Sequence, residues 1–163
     1  MATRRLRFES YVEVTPTEAW AWVTSMKGIS TEMHPYLRMT APPGVTGIAD
    51  LAFEPGMPLF RGRLLLGGVL PVGWTDLTLR ELEPGRRFVE ESPMSAMRQW
   101  RHERRIVEAH AGVDIIDQLD FEPRFGGWLT EAFVRRLFEH RHSVLRRALT
   151  PSLGGRASRE KPA

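Results

Sequence analysis

Two long segments of the chain, residues 97–108 and 113–121, alternate in side-chain character on either side of the turn Ala-His-Ala-Gly at residues 109–112. Alternation with a period of two is typical of β-strands that bury one face. If Glu108 pairs with Val113, the register of an antiparallel hairpin is fixed, because a slip of one residue would turn every side chain to the other face. That register places Ile106 opposite Ile115, Arg104 opposite Asp117, His102 opposite Leu119 and Trp100 opposite Phe121. The sequence therefore predicts a hairpin with charged side chains among apolar ones on its buried face.

The chain opens with one predicted strand and two predicted short helices. Alternation at residues 5–14 indicates a half-buried antiparallel strand. The sequence Thr-Pro-Thr-Glu at residues 15–18 has the pattern of a helix start, with proline at the first helical position and glutamate completing a capping box. We expect this helix to end at residues 27–28 and a second short helix to cover residues 29–34.

Further strands and one long helix are predicted for the rest of the chain. Gly-rich and Pro-rich turns separate short segments that we interpret as strands, at residues 36–40, 45–53, 60–66, 74–82 and 86–91. The longest helical pattern covers residues 128–149 and ends before Pro151. Its apolar stripe consists of Leu129, Ala132, Phe133, Leu137, Val144, Leu145 and Ala148. This order of elements predicts an α+β fold in which a curved antiparallel sheet is covered by the long helix, with room for a cavity.

Composition limits the class of protein. The chain has 163 residues, of which 42% are hydrophobic, which suits one folded domain and is too many for a disordered chain. Without cysteine there is no disulfide and no thiolate chemistry. We recognise no membrane helix and no signal peptide, and therefore expect a cytoplasmic protein without stable membrane insertion. We expect a flexible N-terminus over residues 1–4, one domain over residues 5–149 and a disordered tail over residues 150–163.

The charge distribution argues against a nucleic-acid partner. The formal net charge is +3. Residues 151–163 supply most of it, since Arg156, Arg159 and Lys161 outnumber Glu160 there. The remainder of the chain is close to neutral and shows no basic stripe joined to a recognised motif, which nucleic-acid binders usually have.

Several segments resemble the START-like (SRPBCC) superfamily of helix-grip proteins. They are the strand–helix–helix opening, residues 87–93 (Arg-Phe-Val-Glu-Glu-Ser-Pro), the hairpin at residues 100–105 and 117–121, and residues 138–145 (Phe-Glu-His-Arg-His-Ser-Val-Leu). The resemblance covers residues 6–149 and is closest to small bacterial polyketide cyclase-like and lipid-transport-like members. It implies a curved antiparallel sheet wrapped around the C-terminal helix, two short helices after the first strand, and a pocket. Since the superfamily contains both non-catalytic binders and enzymes, it does not imply a reaction.

Three polar side chains on the buried face of the hairpin are the leading site candidates: His102, Arg104 and Asp117. A buried charge must be paired or hydrated, and Arg104 opposite Asp117 supplies such a pair. In the functional interpretation, Arg104 binds an anionic or enolate oxygen in an apolar pocket and His102 exchanges a proton. In the structural interpretation, the same residues form an ion pair that only stabilises the sheet. The sequence leaves both open.

Apolar and aromatic residues complete the predicted ligand-binding set. They are Trp100, Ile115 and Leu119 on the hairpin, Leu129, Phe133 and Leu137 on the long helix, and His34 and Tyr36 after the second helix. The resemblance implies that the long helix covers the cavity and that the end of the second helix lines its entrance. Helical aromatic residues are also common in cores, and a histidine at a helix end is often a cap. His140 and His142 lie two residues apart, on different sides of a helix, so no metal site is predicted, and no cofactor is expected.

Three functions fit these observations. The favoured one is binding of a small hydrophobic molecule, lipid-like or aromatic and polyketide-like, by a carrier or sensor. The first alternative is a polyketide cyclase, aromatase or dehydratase that uses His102 and Arg104 to move protons and stabilise an enolate. The second is a structural or partner-binding module whose interior is filled by its own side chains. Binding is favoured because no nucleophile or acid–base pair stands out; the sequence specifies neither the ligand nor the oligomeric state.

Overall fold

Seven antiparallel strands and three helices make up residues 2–150, the part of the chain that this computed structural model describes. In chain order they are β1 (Arg4–Val12), α1 (Pro16–Thr24), α2 (Met26–Met33), β2 (Leu37–Met39), β3 (Pro58–Leu66), β4 (Leu70–Glu83), β5 (Arg87–Glu90), β6 (Met97–Ala109), β7 (Gly112–Pro123) and α3 (Gly127–Ala148). The sheet order is β1-β7-β6-β5-β4-β3-β2, so β2 to β7 form a meander and β1 pairs with the last strand. The sheet curls around α3, which confirms the predicted helix-grip fold.

The hairpin of β6 and β7 has the predicted register. Arg104 lies opposite Asp117, and His102 lies opposite Leu119. The charged side chains on this face are buried, with exposed fractions of 2% for His102, 1% for Arg104 and 0% for Asp117. The sheet therefore directs an ionic group into the interior of the domain.

The start of α1 is as predicted, but its end is not. The Thr15 hydroxyl accepts a hydrogen bond from the Glu18 amide, and the Glu18 carboxylate accepts one from the Thr15 amide. Ser25 ends α1 and at once caps α2, because its hydroxyl accepts from the Gly28 amide. A Cβ at Gly28 would lie 2.1 Å from the Trp22 carbonyl oxygen. Gly28 thus allows a sharp junction between α1 and α2. We expected this glycine to mark the end of the first helix, but it lies inside the second.

The strand predicted at residues 45–53 is wrong. This segment packs against the junction of α1 and α2, where the Met26 amide donates to the Thr46 carbonyl at 2.8 Å and the Ile48 amide donates to the Thr24 carbonyl at 2.9 Å. Ile48 is buried at this junction. The segment is therefore bonded to the junction of α1 and α2 and forms no strand of the sheet, although its pattern suggested one.

The buried face of α3 differs in part from the predicted stripe. Leu137, Val144 and Leu145 are buried as expected, whereas Leu129 is 60% exposed and Ala132 and Ala148 are exposed as well. The face directed at the sheet includes Val134, Phe138, Arg141 and His142. Arg141 and His142 are polar and pair with buried carboxylates beneath the helix. A search for apolar residues at helical spacing does not detect such positions. The tail predicted for residues 150–163 lies, apart from Thr150, outside the described residues.

Candidate ligand-binding site

A cavity of about 460 Å³ lies between α3 and the curved sheet. Strands β2 to β6, α2 and α3 supply its wall, and most of the side chains are aliphatic, aromatic or methionine. Five polar residues interrupt the wall: Thr75, Glu90, His102, Thr130 and Arg141. An apolar pocket of roughly 300–1,000 Å³ with a few converging polar groups is typical of small-molecule sites.

The cavity reaches the surface between the β3–β4 hairpin and the first turn of α3. Three of its wall residues, Leu66, Val72 and Leu129, are 38%, 47% and 60% exposed, respectively. They mark the mouth of the cavity, which is apolar. The polar wall residues Glu90, His102 and Arg141 are in contrast largely shielded from bulk water.

Asp117 is the centre of an ionic network that lies behind the cavity wall. Its Oδ1 accepts hydrogen bonds from Arg104 Nε at 2.7 Å and His102 Nε2 at 2.9 Å, and its Oδ2 accepts from Arg104 Nη2 at 2.6 Å and His142 Nε2 at 2.9 Å. Every acceptor position of the carboxylate is thus used within the protein. Burial by itself raises the pKa of Asp117, but the charges of Arg104 and His102 hold it well below its usual range.

Glu32 is the second buried carboxylate of the network. It accepts from Trp22 Nε1 at 3.0 Å, from Arg104 Nη1 at 2.9 Å and from Arg141 Nε at 3.1 Å. Arg104 therefore bridges Glu32 and Asp117. Burial lowers the pKa of Arg104, but these two carboxylates raise it by a larger amount, so that the pKa lies above its usual value. Because its donors are directed at protein carboxylates, Arg104 has little left to offer a ligand.

His102 connects the network to the cavity. Its Nε2 faces Asp117, and its Nδ1 lies 3.5 Å from Glu90 Oε2. Burial lowers the pKa of His102, but the nearby carboxylates outweigh it and raise the pKa above its usual value. For Glu90, burial raises the pKa, and the hydrogen bond and charge of His102 lower it to a greater extent. The geometry therefore favours an imidazolium held between two carboxylates.

A second histidine ties the network to β1. Asp117 only accepts, so His142 donates to it through Nε2. The His142 Nδ1 lies 2.7 Å from Ser10 Oγ, which also accepts from Arg146 Nη1 at 2.7 Å. This chain of hydrogen bonds fastens α3 to the sheet.

Arg141 is the arginine that lines the cavity. Its Nε donates to Glu32, and its guanidinium lies 4.8 Å from the centre of the Phe138 ring. These two contacts fix the plane of the group. Its two terminal amino groups have no hydrogen-bond partner within residues 2–150, and the side chain is 9% exposed. A cation whose terminal donors are free of the described residues is thus built into a mostly apolar wall.

The structure divides the predicted site residues into three groups. The cavity wall contains Trp100, His102, Leu129, Phe133 and Leu137. Arg104, Ile115, Asp117 and Leu119 are buried beneath this wall and do not line it. His34 and Tyr36 lie beside the cavity and contact His140, whose Nε2 is 2.6 Å from the His34 carbonyl oxygen and whose ring centre is 4.9 Å from that of Tyr36. As ligand contacts, all of these remain predictions.

Sequence reasoning missed four members of the site: Glu32, Glu90, Arg141 and His142. For Arg141 a signal was present, since it lies four residues after Leu137 and four before Leu145, on the buried face of α3. Glu32 lies three residues after Ile29 on a short helix with no clear stripe. Its burial depends on partners from β6 and α3, which no local pattern shows.

Known structures with this architecture define the class of the protein. One is an aromatase/cyclase from Streptomyces sp. R1128, which is 12% identical, with a TM-score of 0.64 and coverage of 91% of this chain and 94% of that chain. Another is a START superfamily protein from Mycobacterium smegmatis, 11% identical, with a TM-score of 0.59 and coverage of 89% and 96%. The Aha1 dimer from Colwellia psychrerythraea is 9% identical, with a TM-score of 0.60 and coverage of 90% and 96%. The chain therefore has the START-like helix-grip fold.

The particular family follows from the sequence. The chain belongs to the family described as "Domain of unknown function (DUF8410)", whose model matches residues 10–149. No curated protein matches the sequence. None of the helices within residues 2–150 combines the length and apolar character needed to cross a membrane. Within the same residues, no group of three or more histidine or acidic side chains is arranged to hold a metal ion.

Proposed function

We propose that the protein binds a small hydrophobic molecule in the cavity between α3 and the sheet, as a carrier or sensor. The observation that carries this proposal is the cavity itself, which is apolar, has a volume of about 460 Å³ and reaches the surface at an apolar mouth. Transfer of apolar surface from water into such a wall is favourable by roughly 25 cal/mol per Å². A lipid-like or aromatic molecule fits both the volume and the chemistry of the wall.

The two alternatives receive less support. A cyclase-type enzyme would use Arg104 to stabilise an enolate, but the donors of Arg104 are directed at Asp117 and Glu32. His102 faces a carboxylate at each ring nitrogen, which disfavours its use as a general base. A structural module with a self-filled interior is at odds with the cavity volume. Binding without chemistry is therefore our preferred function.

Titration with the fluorescent hydrophobic probe N-phenyl-1-naphthylamine tests this function. We expect saturable binding to the wild-type protein. Ala96→Phe, which adds a ring to the cavity wall, should weaken binding at least about tenfold. Ala132→Phe makes the same change on the outer face of α3 and serves as the control, with unchanged binding. Equal binding by both variants, or none by the wild type, would contradict the proposal.

Native mass spectrometry of the freshly purified protein then addresses the identity of the ligand. We expect an adduct that dissociates on denaturation and is lost in Ala96→Phe but kept in Ala132→Phe. An adduct that is equally abundant in both variants would place the molecule outside the cavity.

A further inference from the structure

The cavity wall contains a polar group whose hydrogen-bonding capacity is not used within residues 2–150. The terminal amino groups of Arg141 have no partner within the described residues. Buried polar groups are nearly always paired, since an unpaired one costs stability. A wall of this kind is suited to a ligand that brings oxygen atoms with it.

Arg141 determines what one end of the ligand must offer. The guanidinium is held through Nε by Glu32 and lies over the Phe138 ring, so its orientation is set before any ligand binds. A guanidinium has donors only. The ligand must therefore place an acceptor, such as a carbonyl-type oxygen, against Arg141.

Glu90 adds the opposite requirement in the same wall. Its carboxylate accepts from the Ser92 hydroxyl at 2.6 Å, faces His102, and lines the same cavity as Arg141. An ionised carboxylate is acceptor-only and keeps room for a further donor. Glu90 and Arg141 together can thus bind a group that has an acceptor next to a donor.

The charge of the network argues against an anionic ligand. Each cation beside the cavity already faces a carboxylate of the protein: Arg104 faces Asp117 and Glu32, Arg141 faces Glu32, and His102 lies between Asp117 and Glu90. No cation among them is left for a ligand carboxylate to neutralise. A ligand carboxylate would leave one buried negative charge uncompensated, which is costly away from water. It would also lie near the carboxylate of Glu90.

From this geometry we infer that the ligand is a neutral amphiphile whose polar end carries a carbonyl-type oxygen beside a hydrogen-bond donor, with the oxygen on Arg141 and the donor on Glu90. The inference rests on the proposed binding function and specifies the chemical class of its ligand. The apolar body of the molecule lies along the wall towards the mouth. Primary amides and hydroxy-ketones belong to this class, whereas fatty-acid anions and simple esters do not.

Displacement of N-phenyl-1-naphthylamine by a matched ten-carbon series tests the inference at pH 7. Decanamide has both an acceptor and a donor, methyl decanoate has only acceptors, and decanoate is an anion. For the wild-type protein we expect decanamide to bind about tenfold more tightly than either of the other two. Decanoate binding equal to or tighter than decanamide binding, or failure of all three to displace the probe, would overturn the inference.

Two variants separate the roles of the polar groups. Arg141→Met should weaken the binding of decanamide and of methyl decanoate alike by about tenfold, because both place a carbonyl oxygen on Arg141, while the exposed Arg135→Met control leaves both unchanged. Glu90→Gln keeps an acceptor oxygen but removes a negative charge, so decanoate binding should tighten about tenfold. Glu91→Gln alters the neighbouring acid outside the cavity and should change nothing.

The outcomes distinguish the inference from the function on which it rests. If the probe does not bind the wild-type protein, the binding function itself is wrong. If the probe binds but Glu90→Gln leaves the order of the three ligands unchanged, only the ligand class is wrong. In Arg141→Met, Glu32 loses one of its hydrogen-bond donors, and the variant can fail to fold for that reason. In that case Glu90→Gln alone tests the predicted class of ligand.

Discussion

Two arginine–aspartate pairs in this sheet have nearly the same geometry but different surroundings. In each, the arginine lies directly opposite the aspartate on the neighbouring strand. Arg61 donates to Asp76 through Nε at 2.6 Å and Nη2 at 2.8 Å, and Arg104 donates to Asp117 through the same atoms at 2.7 and 2.6 Å. The side chain of Arg61 is 62% exposed and that of Arg104 is 1% exposed.

The difference lies in what completes each pair. The exposed pair is open to solvent, whereas the buried pair depends on Glu32 and two histidines. A charge on the inward face of a sheet therefore does not itself indicate a ligand site, because it can be wholly satisfied by protein partners. Arg141 lines the cavity, and its terminal donors have no partner in the part of the chain that the structure describes, so it is the better indicator of a site.

The largest expected effect is that of Arg104→Met. Removing this cation leaves Asp117 and Glu32 buried without their main partner, and breaking a buried ion pair on one side costs about 3–5 kcal/mol. The free energy of unfolding from urea denaturation, monitored by tryptophan fluorescence, should fall by that amount. A loss similar to that of a surface substitution would show that the network is dispensable for stability.

The pairs should also differ in their response to acid. The folded-state pKa of Asp117 is depressed from 3.8, so its contribution to stability is present above that value and is lost as the pH falls through the folded-state pKa. We expect the free energy of unfolding to decline below about pH 4, and to decline less in Asp117→Asn. The pKa of Asp76 is also lowered, chiefly by its hydrogen bond with Arg61, but solvent screens this pair. Asp76→Asn should therefore retain the wild-type acid dependence.

We expect His102 to make a smaller contribution to the pH dependence of the free energy of unfolding, and to do so at higher pH. Its folded-state pKa is raised above 6.5, so its stabilising contribution is fully present below pH 6.5 and is lost as the pH rises through the folded-state value. Urea denaturation between pH 6 and pH 9 should show a decline in the wild-type protein and a flatter profile in His102→Gln. An identical decline in both proteins would mean that another group titrates.

The smallest expected effect is that of Arg61→Met. This substitution matches Arg104→Met in chemistry and in cross-strand position, but the affected pair is exposed and such pairs contribute little. We expect unfolding by urea to be nearly unchanged, with any difference shrinking further at high salt. Equal losses for the two arginines would show that geometry, and not burial, sets the strength of these pairs.

The sequence predicted most of the sheet because local alternation and turn residues specify it. The hairpin register followed from the alternation together with the pairing of Glu108 and Val113 across the turn, and with it the juxtaposition of Arg104 and Asp117. Residues 45–53 were mistaken for a strand because a short apolar segment does not show whether a sheet or a helix covers it. The burial of Arg141 could be inferred from its position on α3, but the pairing of Arg104 and Arg141 with Glu32 could not be predicted, since it depends on contacts between distant elements. Once the fold is known, Arg141 therefore replaces Arg104 as the candidate residue for binding the ligand.

The most direct test of the account is a crystal structure of the protein soaked with 1-bromodecane, in which bromine is located by its anomalous scattering. We expect a bromine peak between α3 and the sheet in the wild-type protein, and none there in Ala96→Phe. Bromine found only on the outer surface, with the space beneath α3 filled by side chains, would contradict the account.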